Sequence, residues 1–211
     1  VSLLAIKRRA ESTTFEGERF EHLDLRSMKA FGAKFTHCTF HECKMDLSDM
    51  RTTRIDSCVF EGCELGKVDF STSFVERTQF IGCNLEQSSF MGCYMSDVDF
   101  ETCRMAYGET MFLNATARSN VTFLKCNLHG SNLDFREAER GVLRFMESNL
   151  WAAKIALGCA FWNAEFDEKT CQRFIGMVAR VYPDEARKAR LIEFACDQYH
   201  AVDRVMRGGK G

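Results

Sequence analysis

The chain has 211 residues, of which 45% are apolar and 27% charged, and its formal net charge at pH 7 is −2. Such a balance excludes an intrinsically disordered chain, and no apolar run is long enough for a membrane-spanning helix.

Residues 1–12 read as an N-terminal segment or cap. Val1 to Ile6 is apolar, and Lys7-Arg8-Arg9 follows it, the reverse of the order in a secretory signal. The first residue is Val, so the natural start is expected to have been removed.

From residue 13 to 105 a large apolar residue falls on nearly every fifth position. Phe20, Phe40, Phe60, Phe80 and Phe100 stand twenty apart. Phe15, Phe35, Ile55, Val75 and Met95 make a second series, and Leu25, Met45, Leu65, Leu85 and Met105 a third. Ala30, Met50, Phe70 and Phe90 make a fourth. Two places before each centre sits a small or β-branched residue, as at Cys58, Cys63, Val68 and Ser73. A period of five is neither helical nor that of a strand. It predicts a chain that turns a corner every five residues and stacks twenty-residue coils at about 4.8 Å. Gly17, Gly32, Gly62, Gly82 and Gly92 all fall two residues after a centre, where a type II corner needs φ > 0.

The register breaks after Met105. Interruptions are expected near 106–122 and again near 143–145. Between and beyond them the inward pairs Thr110/Phe112, Ala115/Ala117, Val121/Phe123 and Leu143/Phe145 carry the coil on to Ala164/Phe166. After Phe166 the period becomes helical. Asp167 is a suitable N-cap, and Cys171, Phe174, Ile175, Val178 and Tyr182 share one face. Pro183 ends that helix, and a second is expected from Asp184, carrying Ile192 and Tyr199. Residues 167–211 are therefore expected to cap the coil and to form a homodimer. Phe174, Ile175, Val178, Ile192 and Tyr199 are the candidate contacts.

Of eleven cysteines, eight (Cys38, Cys43, Cys58, Cys63, Cys83, Cys93, Cys103 and Cys126) occupy the small inward position. They are expected to be reduced core residues in a cytoplasmic protein. No phosphate-binding glycine loop, nucleophile elbow or H-E-x-x-H stands in the chain. Within His37-Cys38-Thr39-Phe40-His41-Glu42-Cys43 the cysteines point inward and the histidines outward, so the four cannot converge on one ion. No catalytic residue, cofactor or metal is therefore expected.

Units such as Cys63-Glu64-Leu65-Gly66-Lys67, Cys83-Asn84-Leu85-Glu86-Gln87, Val98-Asp99-Phe100 and Cys126-Asn127-Leu128 match a loose A-(D/N)-L-x-x pattern. Over about residues 13–166 the chain resembles the pentapeptide repeat family. That resemblance implies an all-β solenoid, a right-handed quadrilateral β-helix, with a short C-terminal helical region. A subgroup of the family protects DNA gyrase and related type II topoisomerases from quinolones or peptide toxins. Similarity to it implies an acidic rod that mimics DNA, with gyrase or topoisomerase IV as partner and no direct binding to nucleic acid or membrane.

Residues 31–110 hold thirteen acidic and seven basic side chains, net −6. Asp56, Glu61, Glu76, Glu86 and Glu101 are the candidate partner-binding residues. The net density is about one charge per 3 Å, roughly half that of duplex DNA. A second reading, a protein-interaction scaffold, adaptor or bacterial effector acting through loops and C-terminal helices, stays open beside the first.

Overall fold

Two inward side chains in every five residues are geometrically possible only if the backbone turns after each centre. The computed structural model describes residues 10–106, 110–138, 142–155, 164–181, 185–186, 188–190 and 192–193. It is a parallel β-solenoid of about seven turns. Its strands are β1 (Thr14–Glu16), β2 (Arg19–Glu21), β3 (Lys34–Thr36), β4 (Thr39–His41), β5 (Arg54–Asp56), β6 (Val59–Glu61), β7 (Phe74–Ile81) and β8 (Tyr94–Glu101), followed by β9 (Ala115–Ala117), β10 (Val121–Leu124), β11 (Asn132–Leu133), β12 (Phe135–Ala138), β13 (Leu143–Met146), β14 (Lys154–Ile155) and β15 (Glu165–Phe166). The helix α1 (Glu168–Val181) follows, and the described residues 185–186, 188–190 and 192–193 are helical too, where the sequence predicts a second helix from Asp184.

Each coil pairs with the next at a shift of twenty residues. Phe20 pairs with Phe40, Phe40 with Phe60, Phe60 with Phe80 and Phe80 with Phe100. Their rings stack at 4.6, 4.6, 4.8 and 5.0 Å, almost parallel from Phe40 onward. Phe70, Phe90 and Phe112 stack likewise at 4.9 and 5.0 Å, and meet the first column edge-on, as Phe80 meets Phe90 at 6.2 Å. Stacked and edge-on pairs are both favourable ring geometries, each worth about 0.5–1.5 kcal/mol beyond the area buried.

Beside the rings runs a layer of short polar groups. The thiols of Cys43, Cys63, Cys83 and Cys103 donate to the carbonyls of Phe20, Phe40, Phe60 and Phe80 at 3.2–3.3 Å. The hydroxyls of Ser73 and Ser88 donate to Met50 and Leu65 in the same way. Each is the side chain of one coil bonded to the carbonyl of a centre in the coil before. Among the described residues no buried side-chain nitrogen or oxygen lacks a partner.

Gly17, Gly32, Gly62, Gly82 and Gly92 have φ of 61–66°, as the corner requires, but glycine is not the usual corner residue. Every described residue with positive φ lies two places after a centre, and eighteen of these are not glycine. They include Leu47 at 60°, Thr52 at 55° and Arg77 at 47°. A left-handed conformation costs an L-residue about 1–2 kcal/mol. The stack imposes it because it aims each N–H at the coil above: Leu47 donates to Gly66 at 3.0 Å and Thr52 to Ser71 at 3.1 Å.

After Met105 the pairing shift lengthens. Tyr94 pairs with Thr116, but Val98 pairs with Val121, so one extra residue enters between Ala117 and Val121. The shift lengthens first between Asn84↔Arg104 and Ser89↔Met111, and residues 107–109 of the expected interruption lie outside the described residues. Leu143 and Phe145 lie inside the regular strand β13 and are buried, so the later slip precedes them rather than falling on them.

Asp167 caps α1 as its position predicts: its Oδ1 accepts from the Thr170 N–H at 3.1 Å. The same oxygen accepts from Glu147 N–H of the last full coil at 3.0 Å. Phe174 stacks on Phe166 at 5.7 Å. Phe174 and Val178 are 1% and 0% exposed, so they close the core and have no surface to offer a second chain. Ile175 and Ile192 are half-buried against the same core. Tyr199 lies outside the described residues.

Candidate interaction surface

The four sides of the coil carry different chemistry. The segments 31–34, 51–54, 71–74 and 91–94 stack along one corner of the coil, where residues 32, 52, 72 and 92 have positive φ, and none of them contains Asp or Glu. Their outward residues are Phe31, Lys34, Arg51, Arg54, Phe74, Met91 and Tyr94. Phe74 pairs with Tyr94 in adjacent coils, and the rings stack at 5.0 Å. The Arg118 guanidinium lies 4.8 Å from the Tyr94 ring centre, and that of Arg51 lies 5.6 Å from Phe31. Phe31, Phe74 and Met91 are each about two-fifths exposed. Stacked rings with arginines against their faces combine apolar area with cation–π attraction.

Asp56 and Glu76 flank that corner, in the same strands as Arg54 and Phe74, and Glu61, Glu86 and Glu101 lie farther round the coil. Asp56 and Glu76 share one outward column, and Glu61 and Glu101 share the next with His41 and Ile81. Glu86 lies on the third. Four of the five are engaged within the coil. Asp56 meets Arg77 at 2.5 Å, Glu76 meets Arg54 at 3.0 Å, Glu86 meets Arg104 at 3.0 Å, and Glu61 meets His41 at 3.2 Å. Among the described residues the Glu101 carboxylate has no ion pair. Asp49, outside this set, is held below the usual carboxylate range, first by its hydrogen bonds from the Arg51 side chain. The coil thus brings the acidic residues onto three sides and balances most of the five against its own cations. A reversal of Asp56, Glu76 or Glu86 would set like charges together and cost up to about 1 kcal/mol each.

A second concave feature flanks α1. His129, Asn149 and Trp151 from the coil and Arg173, Gly176 and Arg180 from the helix line a groove of about 470 Å³. Neither this groove nor the carboxylate-free corner follows from the acidic columns, because counting acids does not register where they are absent. The signal was nonetheless present: Phe31, Arg51, Ser71 and Met91 stand twenty apart, as do Lys34, Arg54, Phe74 and Tyr94. No helix among the described residues is long and apolar enough to cross a membrane.

Residues 53–133 match the family model described as a pentapeptide repeat region. Among solved structures, the chain is similar to full-length QnrB1, a plasmid-mediated fluoroquinolone resistance protein. The identity is 11%, coverage is 75% of this chain and 96% of that one, and the TM-score is 0.43. It is also similar to the pentapeptide repeat protein Rfr23 from the cyanobacterium Cyanothece 51142, at 13% identity, 79% and 94% coverage and a TM-score of 0.24. HetL, a pentapeptide repeat protein involved in heterocyst differentiation regulation from the cyanobacterium Nostoc sp., matches at 10% identity, 72% and 88% coverage and a TM-score of 0.26. No curated protein matches the chain. The five-residue period and the four-sided coil thus contain, over residues 53–133, a segment that matches a pentapeptide repeat region.

Proposed function

We propose that the protein is a non-enzymatic interaction scaffold that binds a protein partner through its carboxylate-free corner. The observation that carries this reading is the Phe74–Tyr94 stack under Arg118, along a corner whose segments 31–34, 51–54, 71–74 and 91–94 hold Phe31, Lys34 and Met91 and no acid. Aromatic residues and arginine are the side chains that supply most binding energy at protein interfaces. A partner surface of apolar residues flanked by carboxylates would complement it. A rigid stack suits such a role, since little conformational entropy is lost on docking. A photo-reactive residue in place of Tyr94 should cross-link one partner in cells, and Phe74→Ser should abolish that product. Cross-linking from position 101 on the acidic side, with none from position 94, would refute the reading.

The DNA-mimic reading retains one supporting observation, the net charge of −6 over residues 31–110. The internal pairing of Asp56, Glu76, Glu86 and Glu61 weakens it. Purified gyrase, assayed for supercoiling with and without a quinolone, separates the two. Protection that is lost in Glu101→Lys but kept in Tyr94→Ser would favour mimicry.

A homodimer through the C-terminal region belongs to the same proposal and would rest on Ile175, Ile192 and Tyr199; sedimentation of the full chain tests it. A cytoplasmic setting suits the nine described cysteines, all of them free and buried.

A further inference from the structure

Where the sequence reading finds no metal ligands, the stacking of coils brings a set together that no linear motif contains. His22 and Glu42 stand twenty residues apart, at the same corner of successive coils, both with positive φ. His41 immediately precedes Glu42, and the His22 N–H donates to the His41 carbonyl at 2.9 Å. We propose that His22, His41 and Glu42 bind a divalent transition-metal cation, with Zn²⁺ the best match to the donor set.

The distances suit one ion. His22 Nδ1 lies 3.0 Å from Glu42 Oε2, and His41 Nε2 lies 3.8 Å from Glu42 Oε1. The ligand atoms all lie within 4.8 Å of one another. Zinc bonded tetrahedrally to nitrogen and oxygen at about 2.0–2.2 Å separates its ligand atoms by about 3.3–3.5 Å. Small rotations of these outward side chains reach that spacing, and the backbone need not move.

The surroundings favour coordination too. Glu61, one coil beyond His41 in the same column, holds His41 Nδ1 at 3.2 Å. With Nδ1–H donated to that carboxylate, the Nε2 lone pair faces Glu42. A carboxylate behind a ligating histidine fixes its tautomer and raises its basicity. Above Glu42 in the stack stands Gly62, which has no side chain to crowd the site; a Cβ there would lie 3.3 Å from Glu42 Cγ. The neighbouring Glu21 carboxylate is already engaged by Arg19 at 2.9 Å. Two imidazoles and one carboxylate leave a fourth position open. That position would take water or a donor from a bound partner, and it lies at a different corner from the carboxylate-free one.

The test uses the full chain, freed of metal with a chelator and kept reduced. Titration with Zn²⁺ is followed by calorimetry, and with Co²⁺ by visible absorption. One saturable equivalent is expected, with Co²⁺ showing ligand-field bands but no thiolate charge-transfer band. His22→Asn keeps a residue that tolerates positive φ. It should weaken binding at least tenfold, as should His41→Gln and Glu42→Gln. Glu61→Gln acts through His41 and should weaken binding about tenfold. It should also move the pH profile of Co²⁺ binding, which a merely structural role would not. His37→Asn should change nothing. A thiolate band, the absence of a saturable equivalent, or equal affinity in His22→Asn, His41→Gln and the parent would overturn the proposal.

Discussion

The hydroxyl of Thr170, in the first turn of α1, accepts the backbone N–H of Ser148 at 3.0 Å. Ser148 stands in the last full coil, and its own hydroxyl fills the same role for Cys126 N–H one coil earlier, at 3.1 Å. The helix therefore continues the polar ladder of the coil by one more rung, and Asp167 covers the neighbouring Glu147 N–H. An open strand edge is thus ended by groups that satisfy it, which is how a solenoid avoids pairing with another chain.

Thr170 is 1% exposed, so Thr170→Val should leave a buried N–H without an acceptor while conserving shape. The expected loss is about 1–3 kcal/mol in urea unfolding. Thr170→Ser, which keeps the oxygen, should lose well under half of that. Equal losses in the two variants would show that packing, not the hydrogen bond, seats the helix.

Phe60→Ala should cost about 3–5 kcal/mol. Phe60 lies between Phe40 at 4.6 Å and Phe80 at 4.8 Å, so truncation removes two stacked contacts as well as opening a cavity. Phe60→Leu should cost clearly less. A loss under 1 kcal/mol for alanine in chemical denaturation would place Phe60 outside the core.

The cysteines give a dependence on pH. Burial pushes the Cys93 thiol well above its ordinary value. In the unfolded chain a cysteine ionises near about 8.5. Above that pH the unfolded state sheds protons that the native state keeps, so stability falls as pH rises. Urea midpoints, measured under reducing conditions, should be level from pH 6 to 8 and decline toward pH 10. Replacing Cys93 with Ala should flatten part of that decline. In native protein at pH 8 the nine described cysteines should resist alkylation, whereas in unfolded protein they should react at once. Rapid alkylation of Cys93 in the native state would refute the burial argument.

Leu47 combines φ of 60° with 61% exposure of its side chain. Glycine there would relieve the left-handed cost and give up little buried area, although it adds freedom to the unfolded chain. Leu47→Gly should therefore be neutral or stabilising by up to about 1 kcal/mol. A destabilisation beyond 1 kcal/mol would mean that the Leu47 side chain makes a contact its exposure does not suggest.

The sequence by itself determined the coil. A large residue every five places and a small one two before it can both be buried only by a chain that turns four corners, so Phe20 to Phe100 were bound to stack. It also marked the end of the coil, because Asp167 with Cys171, Phe174 and Val178 changes the period to that of a helix. Tertiary structure decided what stands next to what across coils. Whether Asp56 and Glu76 present free charge depends on Arg77 and Arg54, which reach them from another side or another coil. Whether His22 meets Glu42 depends on a stacking shift of twenty residues, a relation that no local motif encodes. The left-handed corners at Leu47 and Thr52 were also not legible, because propensity is local while the hydrogen bond that holds each corner comes from the coil above.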